Sequence, residues 1–394
     1  MSRTLLFLTT ADPSTTPHAE WIPWALERAG WQVTVAAPAA QHSVLRKTLG
    51  AKWSWRSLPF GRGHGRLRAE CALLVELLKA RFGRHDVICL HSQGLGWRAG
   101  LLLLGPLFGK RLAYHNPDYY DPIAHPFRAW LERRLARKSR LLISHEYHRG
   151  YILRAHYRLR CPILISPPNL PASWPVPPRS EELRSEMAGA AGQDAFLLRL
   201  HGGFSERRST AQLFEALALL PPRFRLVMSA GGAPADRLIR NLGIADRVVI
   251  LPPLDYAGML AYTASSDVGV LLYGNNDLGN YFQAPGRLTE YLACGLPVLA
   301  PRYAGLENLV LRYGIGRSVN PANPASIAAG LLDLERDVRS GSATPAGIRR
   351  LFEAHFAYEH WLPGVAAAFD NLTRARGRPA QAPPPEYWFP DLHA

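Results

Sequence analysis

Short apolar runs recur along this chain and alternate with stretches in which apolar residues return every three or four positions. In the first half TLLFLTT (4–10), WQVTVAAP (31–38), DVICLHS (86–92), KRLAYHN (110–116), RLLISHE (140–146) and PILISPP (162–168) read as buried strands. AFLLRLHG (195–202), FRLVMSAG (224–231), RVVILPP (247–253), VGVLLYG (268–274) and LPVLAP (296–301) form a second set. Between the first two runs, HAEWIPWALERAG has helical spacing and stops at Gly30, a C-cap residue. PFRAWLERRLARKS reads as a strongly basic helix. Strands that alternate with helices predict an α/β fold with parallel sheets.

The proline-rich SPPNLPASWPVPPRS (166–180) interrupts this alternation and reads as a linker. Residues 1–170 and 171–345 are then two Rossmann-like domains. Residues 346–394 are expected to supply C-terminal helices and a Pro-rich tail that packs back towards the N-terminal domain, with Tyr387, Trp388 and Phe389 as a docking contact. Two such parallel-sheet domains facing each other across a cleft place ligands at the carboxyl ends of their strands.

A length of 394 residues, 47% hydrophobic and 20% charged, fits two globular domains. Cys71, Cys89, Cys161 and Cys294 lie far apart in apolar contexts and read as reduced core residues of a cytoplasmic protein. The first apolar run is too short for a signal peptide, and GLLLLGPLFG (100–109) is too short to span a bilayer. Charge adds an asymmetry. Residues 1–170 hold 25 Lys and Arg against 10 Asp and Glu, and residues 171–394 hold 21 against 21, so the whole excess of +15 lies in the first half. An anionic partner follows: nucleic acid, anionic lipid or a phosphorylated substrate.

Two stretches of the second half carry candidate chemistry. FLLRLHG leads into GFSERRSTAQLFEAL, where Gly203 allows close backbone approach and Arg207 and Arg208 stand at a helix start. Free N–H groups, the helix dipole and two guanidiniums suit a diphosphate. In NYFQAPGRLTEYLACGLPVLAP (280–301), Arg287 and Glu290 lie three residues apart and share a helix face if the helix begins near Pro285. Arg on phosphate and Glu on a ribose diol match a nucleoside diphosphate; a helix-surface ion pair is the competing reading. In the first half, HNPDYYDP places His115, Asp118 and Asp121 after a strand, where an Asp or His can serve as a general base. The same segment also fits an Asx-type turn. HSQGLG (91–96) and the first loop, with Asp12, Thr15, Thr16 and His18, are weaker candidates. His145, Glu146 and His148 read as polar residues at a strand end rather than a metal cluster.

The strand–GGFSERRS–helix segment and PGRLTEYLACGLPVLAP resemble glycosyltransferases of the two-Rossmann GT-B type. The resemblance extends to the bacterial retaining family with an E-x7-E motif and to exopolysaccharide transferases of the xanthan glucuronosyl kind. It is good over about residues 195–325 and weaker over 1–170. It implies that Arg208, with Arg207 beside it, binds the donor diphosphate and that Glu290 holds the ribose. The first Glu of E-x7-E is Phe282 here, so Asn280, Tyr281 and Gln283 are the polar candidates near the donor sugar, with Arg287 in a place taken elsewhere by Lys. Asp118 stands where inverting relatives carry their base, and His115 where retaining relatives touch the donor sugar, which leaves the stereochemistry open. The resemblance also implies that no metal ion or other cofactor is required.

The function expected is transfer of a sugar from a nucleoside-diphosphate sugar to a lipid-linked oligosaccharide or polysaccharide precursor. The basic first half places it as a peripheral protein at the inner face of the cytoplasmic membrane, on an anionic surface. The other readings are a nucleic-acid-binding protein, against which no recognisable binding module is seen, and a UDP-sugar epimerase of the same fold.

Overall fold

A computed structural model of the chain describes residues 3–14, 16–59, 66–102, 112–118 and 125–374. Thr15, Asp121 and the Tyr387, Trp388 and Phe389 cluster lie outside the described residues. The chain divides into two compact units. The first takes the described residues up to Pro168 and those from Tyr358 onward, and the second runs Asn169–Ala357.

The first unit holds seven strands: β1 (Thr4–Thr9), β2 (Gln32–Pro38), β3 (Ser54–Leu58), β4 (Val87–His91), β5 (Leu112–Asn116), β6 (Leu141–Ser144) and β7 (Ile163–Ile165). They form one sheet in the order β3-β2-β1-β4-β5-β6-β7, and every pair is parallel. The central strands are apolar throughout because a parallel sheet is covered on both faces. Leu6, Leu8, Leu90, Leu112 and Leu142 are buried in one core with Leu73, Leu77 and Leu135 from the helices Arg66–Phe82 and Pro126–Lys138. The helix Leu362–Thr373 belongs to this unit. Trp31 meets Phe369 edge-on at 6.1 Å and donates from Nε1 to Asp370 Oδ1 at 3.2 Å, while Ser166 Oγ and the Tyr358 hydroxyl are 2.8 Å apart.

The second unit holds six strands: β8 (Phe196–Gly203), β9 (Phe224–Ala230), β10 (Val248–Ile250), β11 (Val268–Val270), β12 (Val298–Pro301) and β13 (Gly316–Val319). Their order is β10-β9-β8-β11-β12-β13, again wholly parallel. Each sheet reverses its winding beside its first strand, between β1 and β4 and between β8 and β11. Crevices at such switch points are where open α/β sheets bind ligands.

Periodicity missed two strands, and both are edges. The first four residues of β3 are exposed and β13 is partly so, so neither shows the continuous apolar run of a central strand. Cys71 corrects another expectation. It sits on the outer face of the helix Arg66–Phe82 and is exposed, whereas Cys89 is buried and Cys161 and Cys294 are partly so.

Gly269 of β11 ties the second sheet to the helix Gly286–Ala293. The Tyr291 ring lies on this glycine, and a Cβ there would meet Tyr291 Cγ at 2.3 Å. Neither strand nor ring can yield without repacking the core, so Gly269→Ala is expected to cost about 1–3 kcal/mol. The check is the urea midpoint of the variant against the parent; an unchanged midpoint would show that the ring moves freely.

Candidate functional site

The C-terminal end of β8 carries the densest polar constellation of the second unit, and His201 is its centre. The His201 amide donates to the Tyr291 hydroxyl at 2.9 Å. Its carbonyl accepts from Arg287 Nη1 at 2.7 Å and from Arg208 Nη1 at 3.3 Å. Its ring lies 3.0 Å from Glu290 Oε2 through Nδ1 and 2.7 Å from Thr263 Oγ1 through Nε2. Burial pulls the ring's pKa down to about 4 against the pull of Glu290, with Arg199 and Arg287 adding to the decrease. The ring is therefore neutral near pH 7. Its Nδ1–H donates to the Glu290 carboxylate, and its Nε2 lies against the Thr263 hydroxyl, which donates to the Met259 carbonyl at 2.7 Å.

Two guanidiniums thus converge on one backbone oxygen. Gly202 makes this possible: its φ is +106° and a Cβ would lie 2.0 Å from Arg208 Nη1. Burial and the neighbouring Arg287 charge push the Arg208 pKa down. Arg287 also reaches the Tyr273 hydroxyl. A carbonyl and a phenol supply hydrogen-bond acceptors but no negative charge, so this pair retains a strong demand for an anion.

The structure separates Arg207 from this pair. Glu206–Arg208 form a short 3-10 turn, Ser209 adopts φ +47°, and the α-helix starts only at Thr210. The Arg207 side chain is 67% exposed and pairs with Asp277 Oδ2 at 2.6 Å. Gly203 stands at the end of β8, packed against Ala230. Pro285 caps the helix Gly286–Ala293 that bears Arg287 and Glu290. The Glu290 side chain is only 14% exposed, and its Oε1 accepts from the Tyr256 hydroxyl at 2.7 Å. Glu290 is thus no surface partner; His201 and Tyr256 fix its carboxylate from both sides.

Asn280, Tyr281 and Gln283 form a separate small group on the segment before that helix. Asn280 Nδ2 donates to the Arg207 carbonyl at 3.2 Å and Gln283 Nε2 donates to Asn280 Oδ1 at 3.3 Å. The Tyr281 ring lies against Tyr303 at 4.7 Å and Phe282 at 5.0 Å. Sequence reasoning missed His201, Tyr256 and Tyr273. Only their positions after strands or at a helix start could have marked them.

In the first unit β5 divides its residues between two faces. Tyr114 and Asn116 point to the helix Pro126–Lys138, where the Tyr114 hydroxyl and Asn116 Nδ2 both donate to Glu132 Oε1, each at 2.5 Å. Tyr157 donates to Glu132 Oε2 at 2.9 Å, and burial raises the pKa of this carboxyl. His115 points to the other face, buried beside His91 and His145. Asp118 lies just beyond the strand with its side chain 75% exposed and Oδ1 3.8 Å from Arg149 Nη1. Gln93 Nε2 donates to the Asp118 carbonyl, and Arg149 Nη1 donates to that of Pro117 at 3.1 Å. Asp118 is therefore presented to solvent on a braced turn, whereas His115 is enclosed. Glu146 caps the helix Tyr147–Tyr157 through the Arg149 amide and bonds His148 Nδ1 at 2.6 Å.

The depressed His201 pKa has a sign for stability. In the unfolded chain this ring binds a proton near pH 6.5, in the folded chain only near 4, so its contribution is complete above 6.5 and declines as pH falls towards 4. His201→Asn should remove this part of the slope, roughly 2 kcal/mol between pH 6.5 and 5, while the buried histidines of the first unit keep theirs. Urea unfolding at both pH values measures the difference; equal slopes in parent and variant would place the His201 proton elsewhere.

Residues 196–337 match the family model "Glycosyl transferases group 1". A D-inositol 3-phosphate glycosyltransferase of Xylanimonas cellulosilytica is 28% identical over 43% of this chain, and the matched segment spans 40% of that relative's length. One from Geodermatophilus obscurus is 26% identical over 79% of this chain and 73% of its own length. Among solved structures, HepE of Anabaena in complex with UDP and glucose superposes with a TM-score of 0.73 at 16% identity, covering 94% of this chain and 100% of HepE. Residues 196–337 of the second unit thus match a glycosyl transferases group 1 domain, and the two parallel-sheet α/β units have the GT-B fold.

Proposed function

We propose that this chain moves a sugar from a nucleoside-diphosphate sugar to a lipid-linked oligosaccharide or polysaccharide precursor at an anionic membrane face. The observation that carries the donor half is the convergence of Arg208 and Arg287 on the His201 carbonyl, with the Glu290 carboxylate fixed behind them. The guanidiniums take the diphosphate and Glu290 takes the ribose. Two fixed cations stabilise the leaving diphosphate as its charge develops, so this step needs no metal ion. UDP is the first donor nucleotide to test, since the similar HepE was solved with it. Asn280, Tyr281 and Gln283 are assigned to the donor sugar, and Gly203 and Arg207 to the rim of the phosphate site.

Acceptor chemistry is assigned to the first unit. Asp118, exposed on its braced turn, receives the acceptor proton if the configuration inverts and positions the hydroxyl if it is retained. The membrane assignment is supported by the charge excess of the first half and by two helices of that unit. On Arg66–Phe82, Leu67, Leu74, Val75 and Leu78 are exposed. On Pro126–Lys138, Phe127 and Trp130 are exposed and stacked, with the Arg134 guanidinium over Trp130. Mixed apolar and basic faces of this kind suit a headgroup region. Among the described residues no helix is long and apolar enough to cross a membrane.

Calorimetric titration with UDP tests the donor site: Arg208→Ala and Arg287→Ala should each weaken binding by about tenfold or more, as loss of a charge-assisted contact requires. Undiminished binding in both variants refutes this reading. Asp118→Asn should leave UDP affinity intact and abolish or strongly reduce sugar transfer; unchanged turnover removes Asp118 from the chemistry. Release of a free epimerised sugar without acceptor would turn the assignment to an epimerase. Flotation with anionic vesicles at low salt checks the membrane surface, and protein that stays in the dense fraction contradicts it.

A further inference from the structure

Three strand ends of the first unit bring three imidazoles together. His91 closes β4, His115 lies in β5 directly opposite it in register, and His145 follows β6. The ring centroids of His91 and His115 are 4.6 Å apart and those of His115 and His145 are 5.0 Å apart. One ring nitrogen from each lies within 4.8 Å of the others, and all three side chains are buried. Both nitrogens of His115 and Nε2 of His91 have no hydrogen-bond partner among the described residues. Unpaired polar atoms at that depth are costly, a cost that a packed core ordinarily avoids and a ligand would offset.

We propose that His91, His115 and His145 form a binding site for one divalent transition-metal ion of the zinc type. Neutral imidazole is the ligating form, and burial, which disfavours a charged ring, suits all three side chains to that role. The same feature disfavours an anion, which would require the rings to charge together. A further contact prepares the donor set. Thr9 Oγ1 lies 2.7 Å from His91 Nδ1, so ligation selects the tautomer in which Nδ1–H donates to Thr9 and Nε2 carries the free lone pair. Phe7 stacks on the His91 ring at 5.6 Å and limits its rotation. Metal–nitrogen bonds of about 2.0–2.1 Å in a tetrahedral site put the nitrogens about 3.3–3.4 Å apart, so they must close by up to about 1.5 Å through ring rotation. The fourth position stays open to water or a substrate oxygen. Glu146 and His148 lie outside the set, because Glu146 is engaged by the Arg149 amide and by His148 itself.

All three histidines belong to the first unit. The test uses the full chain, stripped with a chelator and titrated with Co2+ and Zn2+. The expected result is one tight equivalent per chain, visible d–d bands of tetrahedral Co2+, and a raised melting temperature. His91→Ala and His145→Ala should abolish the bands, and Thr9→Val should weaken binding by about tenfold, with the circular dichroism and cooperative urea unfolding of each variant reporting that it is folded. X-ray absorption on the wild-type chain loaded with one equivalent of Zn2+ makes the result independent of variant folding and should show three imidazole nitrogens. Absence of tight binding, bands that persist in either histidine variant, or a shell with fewer than three imidazoles overturns the proposal.

Discussion

The second unit depends on one carbonyl. His201 ends the apolar part of β8, and its oxygen accepts from both Arg208 and Arg287. A peptide dipole can orient a guanidinium without neutralising it, as a carboxylate would. The pair is therefore pre-positioned and still cationic. Burial lowers the Arg208 pKa most, and repulsion from the Arg287 charge held close to it lowers it further. The fold supports the pair through Gly202, whose missing side chain lets the guanidinium lie on the backbone.

Glu290 follows from the same constraint. Were its carboxylate turned fully onto Arg287, it would cancel the charge that an anionic ligand needs. Its oxygens are held instead by the neutral His201 ring and the Tyr256 hydroxyl. His201 thus serves both parts, its backbone orienting the cations and its ring orienting the anion. Thr263 fixes the remaining ring nitrogen, and Tyr291 takes the His201 amide. The stack of Tyr291 on Gly269 then couples this polar centre to the sheet beneath it.

Much of this was legible in the chain before any coordinates. Parallel strands covered on both faces leave unbroken apolar runs, so every central strand was visible, and the edges β3 and β13, wetted on one side, were not. Arg208 was legible as a cation at a helix start after a strand, and Arg287 and Glu290 from their spacing on one helix face and from the resemblance to GT-B transferases. Their hub was not. His201 reads from sequence as the polar end of a strand, and nothing local shows that its carbonyl collects two side chains from 7 and 86 positions away. The histidine trio was hidden for the same reason: His91, His115 and His145 are distant in sequence and meet only through strand order. The adjacent His145, Glu146 and His148 drew the eye instead, although Glu146 has a capping role.

The two units put opposite chemistry at the carboxyl ends of their strands. The polar groups gather at the end of β8 in the second sheet and at the ends of β4, β5 and β6 in the first. In the second unit these groups are cations held by backbone and phenol oxygens, an arrangement that seeks an anion. In the first they are neutral imidazoles in an apolar setting, an arrangement that repels a proton and has lone pairs to give. Desolvation acts on both, but with different results. A guanidinium cannot shed its proton at neutral pH and must find a partner, whereas an imidazole sheds its proton and becomes a ligand. One architecture thus holds two selective sites, and the side chain's own pKa decides which sign of charge each one attracts.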